Sequence, residues 1–343
     1  MFISVREQHS TINQIIVTFF LIFIAFLAIQ FFISTNKIDS STITESTPGI
    51  SLEYAYFEDK QRQWDIIAAQ KFSDQFKQSK WNSAPFELGS SVFWVKIKLN
   101  NEEGYEKPLV IYADNPMLDE LDVYEINNNI AMQVKQIGDI RGLKQHKDYI
   151  YPSFNLILPP HESKEFLLRS ASIGAPNLPL VVLEPDKFEH RVKVSNLIFG
   201  CYIGIMLLMI AYNLVIYSNI KDPIYLIYVG YIFVSAIGLG VYHGFGYYLF
   251  PTEFQQLLHK HIITVNYLIA ILLLWFAIKF LHIDRVKNLR SKIAKWYLLF
   301  LIASLVLISW QIEYFAAKVF FGSQLILYGV AIYILLPRLK TDY

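Results

Sequence analysis

The sequence predicts a membrane α-helical bundle joined to an all-β extracytoplasmic domain of jelly-roll or sandwich type. Two observations carry this expectation. Apolar residues collect in long runs near the start and in the second half of the chain, while the segment between them is polar and repeats with a period of two. Over 343 residues the composition is 54% hydrophobic, 16% aromatic and 17% charged, outside the usual range for soluble domains. The net charge of +1 offers no basic stripe to replace the counterions of a phosphate backbone, so nucleic acid is excluded as a partner.

Residues 1–13 are expected to be cytoplasmic and residues 14–34 to form the first membrane helix. Its apolar core, Ile15 to Ile33, has about the length needed to cross a hydrocarbon layer. The following "FFISTNKIDSS" has no good small-residue cleavage pattern, which favours an uncleaved signal anchor over a signal peptide.

Residues 45–188 read as the β domain. In "SSVFWVKIKLNN", Phe93, Val95, Ile97 and Leu99 alternate with Trp94, Lys96 and Lys98, the pattern of a strand with one buried face. Similar runs occur near 52–57, 108–113, 120–126, 130–136, 151–158, 164–171 and 179–184, separated by turn signals such as "NNEEG", Asn127 to Asn129 and "PPHES". About eight short strands suggest two packed sheets. "WDIIAAQKFSDQFKQ" is the one helix expected among them.

Residues 194–336 carry five further apolar runs, near 194–217, 224–245, 260–281, 294–311 and 314–336, and 337–343 form a short tail. Orientation follows from charge. Arg285, Lys287, Arg290, Lys292 and Lys295 lie together after the third of these runs, and basic loops stay cytoplasmic. Alternation then places "HGFGYYLFPTEFQQLLHKH" and the β domain outside, and Arg338 and Lys340 inside. The whole is expected in a bacterial inner membrane, with the β domain in the periplasm.

Trp94 and Lys96 share one strand face, and Asp122 and Tyr124 share another; an aromatic among long polar chains can stack on a sugar ring. Arg141, in "GDIRGLKQ", can pair with an anionic group. Against these binding roles stands a simple one, in which the aromatics cover the outer sheet and the arginine is solvated. His259 and His261 are two residues apart, the wrong spacing for a helical ligand pair, so no metal is expected. No nucleophile–base pair or phosphate loop is visible; neither enzymatic activity nor a cofactor is expected. The single cysteine, Cys201, excludes an intramolecular disulfide. Asn213 and Asn266 are candidates for hydrogen bonds between helices, while Glu313 and Lys318 can reach the headgroups.

"FWVKIKL", "NPMLDELDVYEINNN", "QIGD", "YPSFNLILPPHESKEFLLR" and "NLPLVVLEPDKFEH", followed by "YIGIMLLMIAYNLVIY", "KDPIYLIYVGYIF" and "GFGYYLFP", resemble the seven-transmembrane receptors with diverse intracellular signalling modules, with the second type of extracellular domain. The resemblance implies a jelly-roll sensor, similar to carbohydrate-binding modules, on a helical bundle. Family members continue into a signalling domain, whereas this sequence has five spans after the sensor and ends at Tyr343. The expectation is therefore a receptor-type sensor that binds a small ligand such as a carbohydrate and lacks an output domain of its own. Its output would pass to a membrane-protein partner or a second copy, and lipid surrounds its bundle. A transporter or a non-sensing structural envelope protein is the alternative.

Overall fold

The computed structural model describes residues 47–79, 91–128, 130–138, 150–171, 178–285, 289–308 and 319. Ser46 ends a first unit, and all described residues belong to the second, Thr47–Tyr343. The expected helix 14–34, Arg141, Glu313, Lys318 and, apart from position 319, the expected span 314–336 lie outside the described residues.

Strands β1 (Ile50–Asp59), β2 (Lys77–Gln78), β3 (Val92–Asn101), β4 (Lys107–Ala113), β5 (Glu120–Asn127), β6 (Ile130–Ile137), β7 (Ser153–Leu158), β8 (Ser163–Ala171) and β9 (Leu180–Leu183) make two antiparallel sheets. Six strands run in the order β2-β1-β3-β8-β5-β6, and three in the order β7-β4-β9. Alternation decides which side chains meet. Val95, Ile97 and Leu99 of β3, Val123 of β5 and Phe166 and Leu168 of β8 face Leu109 and Ile111 of β4, Leu158 of β7 and Val182 of β9. Burying each of these large aliphatic or aromatic groups contributes about 1.5–3 kcal/mol, so this layer dominates the stability of the β domain. The turn signals act as expected. Asn128 and His161 take positive φ (51° and 54°), and Asn101 donates from Nδ2 to the carbonyls of Tyr105, Leu158 and Pro159, tying two turns together.

Helix α1 (Ile66–Lys71) is shorter than the sequence pattern implies. Asp65 caps its start by accepting from the Ala68 N–H, and a 3-10 turn (Ser73–Gln75) follows. The chain must then straighten, because Lys77 and Gln78 pair with Tyr56 and Ala55 on the edge of β1. Tertiary pairing overrides helical preference there.

Helix α2 (Pro185–Ile220) begins immediately after β9, with proline in its first turn and Asp186 beside it. It starts well before the apolar run at 194. The early turns are helical because Phe188 and Val192, four residues apart, bury against the outer face of the three-stranded sheet; Phe188 lies 5.0 Å from the Tyr112 ring. Arg191 completes the junction, 3.3 Å from the Asp114 carboxylate and 5.7 Å from the centre of the Tyr112 ring. Tyr151 and Ser195 approach to 3.4 Å through their hydroxyls.

Beyond Lys221, in the left-handed conformation, come α3 (Ile224–Tyr242), α4 (Gly246–Leu249), α5 (Thr252–Lys260), α6 (Ile262–Phe280) and α7 (Leu289–Ile308). Three of these helices, α2, α3 and α6, are long and apolar enough to cross a membrane. Tyr267, Leu274 and Ile278 of α6 pack on Ala294, Tyr297 and Leu301 of α7. The expected interhelical role of Asn213 is not what forms: its Nδ2 donates to the Met209 carbonyl, one turn back in its own helix. The connector expected outside the membrane, "HGFGYYLFPTEFQQLLHKH", folds into α4 and α5. Gly244 opens it at φ +77°, where an added Cβ would lie 2.8 Å from Pro116 Cβ and 3.5 Å from Ile150 Cβ. The β domain thus meets the helical part at α2 and at Gly244.

Gly244→Ala combines a left-handed backbone with this close approach and should cost about 1–3 kcal/mol. Gly104→Ala, which meets only His161 Nε2 at 3.7 Å, should change stability far less. Thermal unfolding midpoints of the two purified variants in detergent check this; equal midpoints would contradict the packing at Gly244.

Candidate functional site

Strand register brings four of the five sequence-predicted site residues onto the outer face of the six-stranded sheet. One row across the strands is Phe57, Trp94, Arg169 and Asp122. The next is Ala55, Lys96, Leu167 and Tyr124. The register between β5 and β6 shifts at Val123/Tyr124, leaving Val134 as the extra residue of a bulge in β6.

Arg169 occupies the centre of this face and is a site residue that the sequence pattern did not single out. Its Nη1 donates to Glu120 Oε2 at 2.9 Å and to Asp122 Oδ2 at 3.2 Å. The Asp122 side chain is 4% exposed, whereas those of Arg169 and Glu120 are part-exposed. A carboxylate so far out of water requires its cation, and Arg169 supplies it from the neighbouring strand. Lys96 pairs with Glu165 at 2.8 Å on the same face, with both side chains about one-third open to solvent. The only sequence signal for Arg169 is its alternation with Leu168 in "EFLLRS": an arginine at an outward position, directly after the apolar stretch Phe166–Leu168.

Trp94 is not an open stacking platform. It is 1% exposed, in a small cluster with Ala69, Val92, Leu167 and Ala171, bordered by Trp64, Ile66, Phe76, Tyr124 and Ile126. The α1 segment lies across it, anchored by Trp64 stacked on Phe57 with ring centres 3.9 Å apart. Tyr124 reaches the Trp94 ring at 6.4 Å. The indole Nε1–H is buried and finds no hydrogen-bond partner among the described residues, an arrangement that costs desolvation energy. Burial also raises the Tyr124 phenol above its ordinary value, a larger effect than that of Arg169, which acts in the other direction.

This face therefore presents donors and acceptors close together, Arg169, Glu120, Lys96 and Glu165, beside an aromatic cluster covered by a short helical segment. Such a set can hydrogen-bond a polyhydroxyl or zwitterionic molecule without bond chemistry. A concavity of about 360 Å³, lined by Tyr105, Lys107, Pro108, Glu184, Pro185 and Asp186, lies away from this face, where β9 meets α2. There the lysine is already engaged, by Glu103 at 3.7 Å and by the Pro48 carbonyl. Among the described residues no group of three His, Cys, Asp or Glu side chains is placed to hold a metal ion.

Residues 52–184 match the family model described as 7TMR-DISM extracellular 2, and residues 195–340 match that described as 7TM diverse intracellular signalling. The two matches are consecutive and together span more than half of the chain. No curated protein matches the sequence. A solved structure, the enzymatically active domain of tailspike protein 4 of bacteriophage CBA120, aligns at 12% identity over 42% of this chain and 20% of that one, with a TM-score of 0.16, too low to carry any argument.

The raised phenol makes a pH prediction. At neutral pH Tyr124 keeps its proton in both folded and unfolded chains. Above the ordinary value of 10.0 the unfolded chain loses it first, so this contribution to stability is lost as pH rises through the higher folded value. Unfolding midpoints followed from about pH 9 to about pH 11 should fall less steeply in Tyr124→Phe than in the parent. Identical slopes would show that Tyr124 is not sheltered.

Proposed function

The chain belongs to the seven-transmembrane receptors with diverse intracellular signalling modules, and on that premise we propose that its β sandwich binds a small polar ligand, with carbohydrate the leading class, on the face centred on Arg169. Family membership makes it a membrane sensor with an extracellular domain. The carrying observation for the ligand face is Arg169, part-exposed and held between Glu120 and Asp122 beside the covered aromatic cluster. Ligand hydroxyls would meet Arg169, Glu120 and Lys96 directly, and the α1 segment would adjust over Trp94. We assign the sandwich no catalytic step, and propose that the membrane helices associate with a membrane-protein partner or a second copy.

We place the protein in a bacterial inner membrane as a multi-pass chain, with the sandwich in the periplasm. In support, Gly244 contacts the sandwich at the start of the α3–α6 connector, while the basic residues Arg285, Arg290, Lys292 and Lys295 lie beyond the other end of α6. Transport is less well supported. It would need helix breaks near mid-membrane, and the described breaks at Gly244 and Pro251 fall in the connector between α3 and α6.

In the full-length protein, a glycan screen should yield a ligand whose affinity falls about tenfold or more in Arg169→Ala, the loss of a charge-assisted hydrogen bond. Trp94→Phe, which removes only the buried N–H and trims the ring, should leave affinity nearly unchanged. Normal binding by Arg169→Ala would move the site elsewhere. For topology, in a Cys201→Ser background, Asn128→Cys should react with an impermeant thiol reagent once the outer membrane is opened, while Asn288→Cys should not. The reverse labelling would overturn the orientation.

A further inference from the structure

Helix α5 is packed the wrong way round for a helix bathed in water. At 100° per residue, Phe254, Leu257 and Leu258 share one face of Thr252–Lys260, while Gln255, Gln256 and His259 share the other. A surface helix of a soluble domain turns its apolar stripe inward. Here Gln255 is 1% exposed, whereas Phe254 is 43% and Leu257 51% exposed. The Gln255 carboxamide packs against Gly246, where any Cβ would collide with its Oε1. The same connector leaves Tyr248 and Leu249 exposed, and Tyr242 is exposed at the end of α3.

Position tells what covers this face. The connector joins α3 to α6, both long and apolar enough to span a membrane, and α5 packs against each. The outward surfaces of those two helices are themselves apolar, with Phe233 on α3 and Trp275 on α6 exposed, so the α5 face continues the surface that lipid already covers. Gly244 against Pro116 and Ile150 sets the connector at the end nearer the sandwich. We infer that α4 and α5 form an interfacial element of the leaflet on the sandwich side. Phe254 and Leu257 enter the upper acyl chains, Glu253 and Lys260 stay among headgroups and water, and Tyr242 and Tyr248 sit at the boundary where amphipathic rings are favoured. Because the segment that holds α5 in the leaflet also holds Gly244 against the sandwich, depth in the bilayer and placement of the sandwich are linked through one connector. This assignment goes beyond ligand binding at the Arg169 face and does not depend on it.

The test uses the full chain, in a Cys201→Ser background, reconstituted in nanodiscs of phosphatidylethanolamine and phosphatidylglycerol. Nitroxide labels are placed singly by Phe254→Cys, Leu257→Cys, Glu253→Cys and Lys260→Cys, and relaxation by oxygen is compared with relaxation by a water-soluble nickel chelate. The expected result is a positive depth parameter, oxygen exceeding nickel, at 254 and 257, and a negative one at 253 and 260. Nickel access exceeding oxygen at all four positions would overturn the inference, since the helix would then lie in water. Low access to both reagents at 254 and 257 would also overturn it, and dipolar broadening between labels would then assign the face to a second copy. Positions 254 and 257 read the same face independently, so loss of one variant leaves the test intact.

Discussion

Only Glu184 separates the last strand of the sandwich from the first turn of α2, and the remainder of the architecture depends on that absence of a linker. A flexible tether would let the sandwich tumble above the membrane; here the sheet runs into the spanning helix and Phe188 closes on Tyr112. Arg191 then has two reasons to stay, the carboxylate of the nearly buried Asp114 and the face of the same tyrosine. Removing either partner would leave a charge short of its solvent and its counterion, which is why such a pair holds geometry better than an exposed one. A displacement in the sandwich that moves β4 must therefore move α2 or break this contact.

Two kinds of interaction share the outer face of the large sheet, and their magnitudes differ. The Lys96–Glu165 pair is part-exposed and contributes little, because water competes for both ends. The Arg169–Asp122 pair contains a carboxylate almost removed from solvent and is costly to separate. Next to it the Trp94 cluster is apolar but imperfect, with a buried N–H that makes no hydrogen bond. A face that combines a charge pair, part-exposed polar groups and an unsatisfied donor under a six-residue helix is less settled than the central core. Such regions are the low-stability end of a fold, where ligands act most readily.

Bilayer and sandwich meet on the connector between α3 and α6. Its polar side is packed inward on Gly246 and its apolar side is turned out, an inversion suited to surroundings less polar than water. With α2 at one contact and Gly244 at the other, the sandwich is held both by its own first helix and by the connector that follows α3.

By itself the sequence determined what local periodicity encodes: every strand except the short β2, the Asn128 and His161 turns, the apolar runs of α2, α3 and α6, and the shared outward direction of Trp94 and Lys96, and of Asp122 and Tyr124. Period two sorts side chains to the faces of a strand, and turn residues mark where it stops; both need only neighbours in the chain. Tertiary structure decided what covers each face. The same period that sends Trp94 outward cannot show that α1 closes over it, because that contact joins separate strands and a helix. Arg169 gained its place from carboxylates 47 and 49 positions away, beyond any local pattern. The early start of α2 and the inverted packing of α5 have the same origin. Phe188 is helical because a sheet awaits it, and Gln255 is buried because Gly246 leaves it room; burial belongs to the partner surface as much as to the residue.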